Sequence, residues 1–265
     1  MISYYKNRFI NLNQAEINLN ILRGIGIFET VRFINGKLIF FDDHINRLFS
    51  YNNFFDFNGL DKKQIFDIAT ETINKNNLKD GLAKIIFVPK NDFSKLEFYI
   101  IIRKVPKLKS DSVKIDYFSE IKYPVLRFNP GFKSLFYFGN FLAIKDARSK
   151  NIFEPIFYNK ENIITGGAIK NIFFIKNNSV YTPNLDLGIL NGITRFKIIN
   201  ILKENKFKIF ESKIEYSDVN NMDEAFLTSS TYGILPCYWE NWQSNYKITK
   251  ELKNHYNQIL KMEYI

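Results

Sequence analysis

Residues 23–48 read RGIGIFETVRFINGKLIFFDDHINRL. Two apolar runs flank Asn35-Gly36, the strongest short-range signal for a β-hairpin. The following DDHINRLF predicts a helix with Asp42 or Asp43 near its start and with Ile45, Leu48 and Phe49 on one face. The opening GIGIFE begins like G-x-G-x-x-G but carries Glu29 at the third glycine, and a hairpin follows where a dinucleotide fingerprint needs a helix. A tight backbone turn is the better reading. Hairpin followed by helix sets the pattern for the chain, an α+β fold with antiparallel pairing dominant.

Outward from this stretch, KKQIFDIATETINKN (62–76) is amphipathic at helical spacing through Ile65, Ile68, Ala69 and Ile73. GLAKIIFVPK and LEFYIIIRK are strands joined by a short polar loop. The polar KVPKLKSDS (104–112) marks a boundary. It divides the chain into an N-terminal α/β domain, 1–110, and a C-terminal one, 111–265. The second part begins with VKIDYF as a strand and an irregular segment to Pro130. It continues with a helix near 135–150, two hairpin-like pairs, a helix over 192–205, a strand in DEAFLTSSTYG and a closing helix.

The 265 residues are 46% hydrophobic and 17% aromatic, which supplies a sizeable core and argues against wholesale disorder. The apolar runs are far shorter than a membrane span, and MISYYKNRFINLN has no signal-peptide core. One cysteine, Cys237, excludes an internal disulfide and a cysteine-rich zinc site. These features predict a cytoplasmic protein without a membrane partner. The net charge of +10 raises a nucleic-acid partner, but the lysines are scattered and form no basic run. The charge reads as a solvated surface, useful for anionic small molecules.

Three features carry possible chemistry. GFKSLFYFGNF (131–141) sets Lys133 among aromatics. Its stem either lies along apolar surface with the ammonium in water, or the amine is crowded, loses its proton readily and becomes a nucleophile. LNGITR opens a helix whose free N–H groups, beside Thr194, suit an anion such as phosphate, and LTSSTYG adds a second hydroxyl-rich loop. Ordinary capping is the competing account of each. Arg47 could clamp the same anion bidentately. The two histidines, His44 and His255, lack metal-spaced partners, so no metal site is expected. Together, a crowded lysine and two phosphate-type loops point to pyridoxal 5'-phosphate.

The ordered set RGIGIFETVRFINGKLIFFDDHINRL, FKSLFYFGNFLA, GGAIKNIFFI, VYTP, LGILNGITR and DEAFLTSSTYGILP resembles the class IV aminotransferases. These are pyridoxal-phosphate enzymes of fold type IV, among them branched-chain and D-amino-acid aminotransferases and aminodeoxychorismate lyases. The resemblance runs from about residue 23 to 237. It implies two α/β domains with the cofactor between them and a homodimer. It also implies that Lys133 forms the Schiff base, that Arg47 contacts the phosphate, and that Leu190 packs on the pyridine ring. Ile193 and Thr194 would present a helix N-terminus to the phosphate, with Ser230 and Thr231 adding contacts from the other loop. Phe28 is a candidate for the substrate pocket, as are Tyr99 and the aromatics after Lys133; core packing serves each equally well.

One departure bears on the reaction. The family reads T-E-G-x-x-x-N where this chain has TGGAIKN, so Gly166 stands where a glutamate bonds the pyridine nitrogen. Glu161 falls in the preceding hairpin turn and does not replace it. Without a carboxylate the ring is a weaker electron sink for a Cα carbanion. That penalises transamination more than an aminodeoxychorismate-type cleavage, which aromatisation helps to drive. The D-amino-acid branch is disfavoured, because its Arg-x-His pair would fall near Lys109 and Asp111. Three readings follow: a class IV aminotransferase acting on an amino-acid-like substrate, a 4-amino-4-deoxychorismate lyase that eliminates pyruvate to give 4-aminobenzoate, and a non-catalytic relative.

Overall fold

The computed structural model describes residues 1–5, 7–11, 19–90, 95–123 and 131–264. The irregular segment expected before Pro130 lies largely outside them. The chain divides into two compact units. The first holds Met1–Lys107, Lys133–Phe136 and Leu260–Ile265, and the second holds Leu108–Phe132 and Tyr137–Ile259.

The first unit is an antiparallel sheet in the order β2-β1-β6-β5-β3-β4. Its strands are β1 (Ile2–Tyr5), β2 (Arg8–Asn11), β3 (Ile27–Ile34), β4 (Lys37–Leu38), β5 (Gly81–Pro89) and β6 (Leu96–Arg103). The short helix α1 (Leu19–Leu22) precedes β3. Asn35 and Gly36 both take positive φ, 50° and 78°, which is the backbone that an Asn-Gly hairpin turn needs. β3 alternates strictly: Ile27, Glu29, Val31 and Phe33 are buried, whereas Phe28, Thr30, Arg32 and Ile34 are half-buried. The buried side is covered by α2 (Phe41–Phe49) and α3 (Lys62–Lys75).

Asp61 caps α3 by accepting from the N–H groups of Lys63 and Gln64. α2 departs from expectation. Its N-cap is Phe40 at φ 51°, and Asp42 and Asp43 lie inside the first turn, where the helix dipole favours them.

The segment Lys133–Phe136 pairs with the first unit. Phe28 N–H donates to Lys133 O at 2.9 Å, and Leu135 N–H donates to Gly26 O at 2.9 Å. In place of a single boundary at 110/111, the first unit runs to Lys107 and takes back the lysine segment Lys133–Phe136. Gly26, at φ 156°, admits the close approach, since a Cβ there would lie 2.7 Å from Phe87 O and 2.8 Å from the Leu135 side chain.

The second unit is a mixed eight-stranded sheet in the order β12-β11-β10-β13-β14-β7-β8-β9. Its strands are β7 (Val113–Ser119), β8 (Glu154–Tyr158), β9 (Ile164–Gly167), β10 (Asn171–Lys176), β11 (Ser179–Pro183), β12 (Lys208–Ser212), β13 (Glu224–Ser229) and β14 (Gly233–Tyr238). The helices are α4 (Phe138–Ser149), α5 (Ile193–Glu204) and α6 (Lys247–Tyr264), the last six residues of the chain being grouped with the first unit. Ile115, Ile156, Ile164, Ile172, Phe174, Leu227 and Cys237 form its core. Cys237 is a buried thiol, pushed up by burial, as an inert core cysteine should be. Sheets flanked by segregated helices make the fold α+β. Among the described residues no helix is long and apolar enough to cross a membrane.

Candidate active site

The first unit gathers an unusual set of ionisable groups. Alternation in β3 drives Glu29 to the covered side of the sheet, fully buried. A carboxylate there needs partners, and α2 supplies two, one turn apart on the same helix face. Arg47 donates from Nε to Glu29 Oε1 at 2.6 Å and from Nη2 to Oε2 at 2.7 Å. His44 Nδ1 lies 2.7 Å from Oε2.

Burial alone would raise the Glu29 pKa, but the charges and hydrogen bonds of Arg47 and His44 outweigh it and hold the carboxyl well below the usual range. Burial lowers the pKa of His44 despite Glu29. The imidazole is therefore neutral at pH 7, and its Nδ1–H is the donor to the carboxylate. Arg47 is raised, because Glu29 overcomes its burial.

Lys133 lies close to this cluster. Its N–H donates to Tyr51 Oη at 3.4 Å, and its ammonium lies 4.9 Å from the centroid of the Phe28 ring. Burial is the main reason that its pKa falls to about 8; Arg47, Lys84 and Arg103 push the same way, and Glu29 opposes them. Such a lysine is neutral in a useful fraction of molecules near neutral pH, as a nucleophile requires. Lys84 of β5 is half-buried in an otherwise buried strand and sits 4.1 Å from the centroid of that same Phe28 ring.

Of the other aromatics, Tyr99 is buried and stacked on Tyr5 at 4.7 Å, which makes it a core residue of this unit. Phe136, in the first unit, and Phe138 and Phe141, in the second, are exposed.

The remaining candidates belong to the second unit. α5 begins at Gly192, whose N-cap position makes no side-chain hydrogen bond, so the first turn presents N–H groups without a side-chain cap. Ile193 and Thr194 are buried in that turn, and Leu190 is half-buried just before it. Asn171 Nδ2 donates to Leu190 O at 2.9 Å, and a Cβ on Gly192 would sit 2.3 Å from Asn171 Oδ1. Asn171 pairs across the sheet with Thr228, whose hydroxyl is buried without a hydrogen-bond partner. Thr228 leads directly into Ser229, Ser230 and Thr231, the last two half-buried. The structure thus sets Lys133, Arg47 and Phe28 in one unit, and Leu190, Ile193, Thr194, Ser230 and Thr231 in the other.

Gly166 has φ 135°, and among the described residues a Cβ there would meet only Lys170 O, at 3.7 Å. Gly167 differs, since a Cβ would fall 2.6 Å from Glu154 Oε1. Glu154 is itself committed: it accepts from Ile169 N–H at 2.7 Å and from Lys170 Nζ at 2.7 Å. Glu161 is exposed in the turn before β9, as expected.

Glu29, His44, Tyr51, Lys84 and Thr228 were not singled out as site residues from sequence. In the sequence Glu29 stands out only as the residue at the third glycine position of G-x-G-x-x-G. The period-2 pattern of β3 carries the signal, since it sends an acid to a buried face. Among the described residues no cluster of His, Cys, Asp and Glu could hold a metal.

The family model for amino-transferase class IV matches residues 26–238. A Methanocaldococcus jannaschii protein named as a candidate branched-chain-amino-acid aminotransferase is 28% identical over 275 residues, covering 97% of this chain and 95% of its own. An aminodeoxychorismate lyase of Bacillus subtilis is 28% identical over 235 residues, 81% of this chain and 77% of its own. The crystal structure of a branched-chain aminotransferase from Thermoproteus uzoniensis superposes with a TM-score of 0.86 at 22% identity, covering 100% of this chain and 96% of its own.

Proposed function

The chain belongs to the class IV aminotransferase family, and on that premise we propose that Lys133 is the cofactor lysine of a pyridoxal-phosphate enzyme acting on an amino-acid-like substrate. When bound, pyridoxal phosphate supplies an aldehyde that condenses with amines and a ring that draws electrons from the substrate Cα. One observation carries the assignment: Lys133 is fixed through its backbone to Phe28 and Tyr51, with its amine lowered to about 8 beside the buried Glu29–Arg47 pair.

The residues fit the group. The side-chain-uncapped first turn of α5, with Ile193 and Thr194, suits a phosphate, and Ser230 and Thr231 add hydroxyl or N–H donors. The orphaned Thr228 hydroxyl opens that second loop. Leu190 supplies an apolar side chain for a ring face. Arg47 keeps its Nε and Nη2 edge on Glu29. Lys133 acts first as nucleophile, then as the base that takes and returns the Cα proton. Phe28 forms one wall beside that amine.

Gly166 favours a second reading within the family, the aminodeoxychorismate-type lyase. No side chain reaches out from that position, and the neighbouring Glu154 is fully engaged with Ile169 and Lys170. Both readings describe a cytoplasmic homodimer working on a small molecule.

The test is an absorption spectrum of the purified protein with pyridoxal phosphate, before and after borohydride, with peptide mapping. Cofactor fixed to Lys133 supports the assignment. Amino-donor screens and aminodeoxychorismate turnover then separate transaminase from lyase. A colourless protein with no trapped lysine rejects the assignment and leaves a non-catalytic relative.

A further inference from the structure

Lys133 hangs from a short segment with little structure of its own. Lys133–Phe136 lies outside the helices and strands, and its pairing with β3 is an isolated bridge between Ile27 and Ser134. Two backbone bonds hold that edge: Phe28 N–H to Lys133 O and Leu135 N–H to Gly26 O, each 2.9 Å. Both run to the start of β3, and bonds along one edge leave a segment free to turn about that edge. A further bond comes from another direction, Lys133 N–H to Tyr51 Oη at 3.4 Å.

Tyr51 reaches this place because of α2. His44, Arg47 and Tyr51 follow one another at three and four residues, so they share one side of the helix and of the turn that ends it. Tyr51 N–H donates to Leu48 O and Phe55 N–H donates to Tyr51 O, which continues the turn beyond the C-cap Ser50. Tyr51 is buried, and the charges of Arg47 and Glu29 both act on its phenol. One element therefore presents the two groups that hold Glu29 and the hydroxyl that meets the lysine's backbone. Burial keeps the phenol above its ordinary 10, against the pull of Arg47. It stays protonated where Lys133, at about 8, gives up its proton, so proton transfer is not its part.

We propose that Tyr51 is a positioning residue: its hydroxyl fixes the peptide from which the Lys133 side chain departs and so keeps the amine in its buried place beside Phe28. The inference rests on the reading of Lys133 as the reacting amine. The N–H and C=O of Lys133 lie in the two peptide planes that flank its Cα. Tying one to Tyr51 and the other to Phe28 sets the direction in which the side chain leaves. The stem is long and flexible, so freeing one plane lets the amine swing toward water. Burial is the main cause of the low Lys133 pKa, and its titration therefore reports whether the amine stays where Tyr51 puts it.

The experiment compares the wild type with Tyr51→Phe, which keeps the ring and loses the hydroxyl, and with Tyr51→Leu, which loses the ring as well. Each whole chain is read in two ways without added cofactor. Residue-resolved hydrogen exchange follows the Lys133 amide, with the Leu135 amide as internal control. Reductive methylation with formaldehyde and cyanoborohydride over a pH series, with peptide mapping, gives the midpoint at Lys133. In Tyr51→Phe the Lys133 amide should exchange about threefold to tenfold faster, as one lost hydrogen bond implies, with Leu135 unchanged. The midpoint should rise from about 8 toward the ordinary 10.5, by about half a unit or more. An unmoved midpoint in Tyr51→Phe would overturn the proposal, whether or not the amide exchanges faster. Disturbance in Tyr51→Leu alone would overturn it too, since the ring would then serve packing only. So would faster exchange at Lys133 and Leu135 together, which is general loosening of the segment. Borohydride trapping of pyridoxal phosphate at Lys133 in the wild type keeps the two readings apart. Its failure removes the cofactor assignment, while exchange and methylation still decide whether Tyr51 places the amine.

Discussion

Arg47 grips the buried carboxylate of Glu29 through two donors, at 2.6 and 2.7 Å, and His44 completes the set at 2.7 Å. Removing one partner leaves an uncompensated charge in a dry place, so Glu29→Ala should cost about 3–5 kcal/mol of stability, read by urea denaturation. Glu29→Gln is the informative variant for chemistry. Glu29 raises the Lys133 pKa through its charge. Neutralising it should move that pKa below about 8. The amine should then react with a small aldehyde plus borohydride at lower pH than in the wild type. An unshifted pH profile would mean that the buried acid does not sense Lys133.

Lys133 itself should be a destabilising residue at neutral pH. Its folded pKa is about 8, against an ordinary 10.5. Below pH 8 it is charged in both states, and the folded protein bears the whole desolvation cost. As pH rises from 8 to 10.5, the folded form releases its proton while the unfolded form still holds one, so this group's contribution to stability increases. Lys133→Met, tested without cofactor, should melt a few degrees above the wild type at pH 7. The gap should narrow above pH 8. A gap that stays constant to pH 10 would show that Lys133 is better solvated than its surroundings imply.

Much of this was legible in the chain. Asn35-Gly36 specified its turn because few residues other than Asn and Gly tolerate two consecutive positive φ values. The lysine in GFKSLFYFGNF was visible because a cation among aromatics is conspicuous. The return of Lys133–Phe136 to the edge of β3 was not legible, since no local pattern encodes pairing with a strand a hundred residues away. The same limit hid the approach of Lys84 to Phe28, since the two sit on different strands and meet only through register. Lys84 did leave a trace, as the single charge in GLAKIIFVP. Phe40 as the cap of α2 ran against propensity, and tertiary packing of a buried phenylalanine overrode the nearby aspartates.

His44 should make the fold acid-sensitive. Burial lowers its folded pKa below the ordinary 6.5. As pH falls through 6.5 the unfolded chain takes up a proton that the folded one refuses, and stability is lost. Glu29 titrates far lower in the folded protein, so its share of the loss continues further into acid. His44→Asn retains a side-chain amide donor and removes the titration. Its stability should fall less between pH 6.5 and 5 than that of the wild type. Parallel curves for the two proteins would place the acid sensitivity elsewhere.

Gly166 and Gly167 should respond to alanine for different reasons. At Gly166 there is room, with Lys170 O 3.7 Å from a Cβ, but φ is 135°. The cost of Gly166→Ala is therefore conformational, about 1–3 kcal/mol, and the surrounding contacts survive. At Gly167 the Cβ would lie 2.6 Å from Glu154 Oε1 and 2.9 Å from Lys170 O, inside a buried ion pair. Moving Glu154 strains its bonds to Lys170 and Ile169, so Gly167→Ala should cost about 3 kcal/mol or more. The double-mutant comparison with Glu154→Gln separates the two mechanisms. Gly167→Ala should be substantially less costly in the Glu154→Gln background than in the wild type, because the ion pair it disturbs is already gone. Gly166→Ala should cost the same in both backgrounds. Strict additivity for Gly167 would show that the clash is absorbed by backbone movement and that the Glu154–Lys170 pair does not limit what this corner accepts.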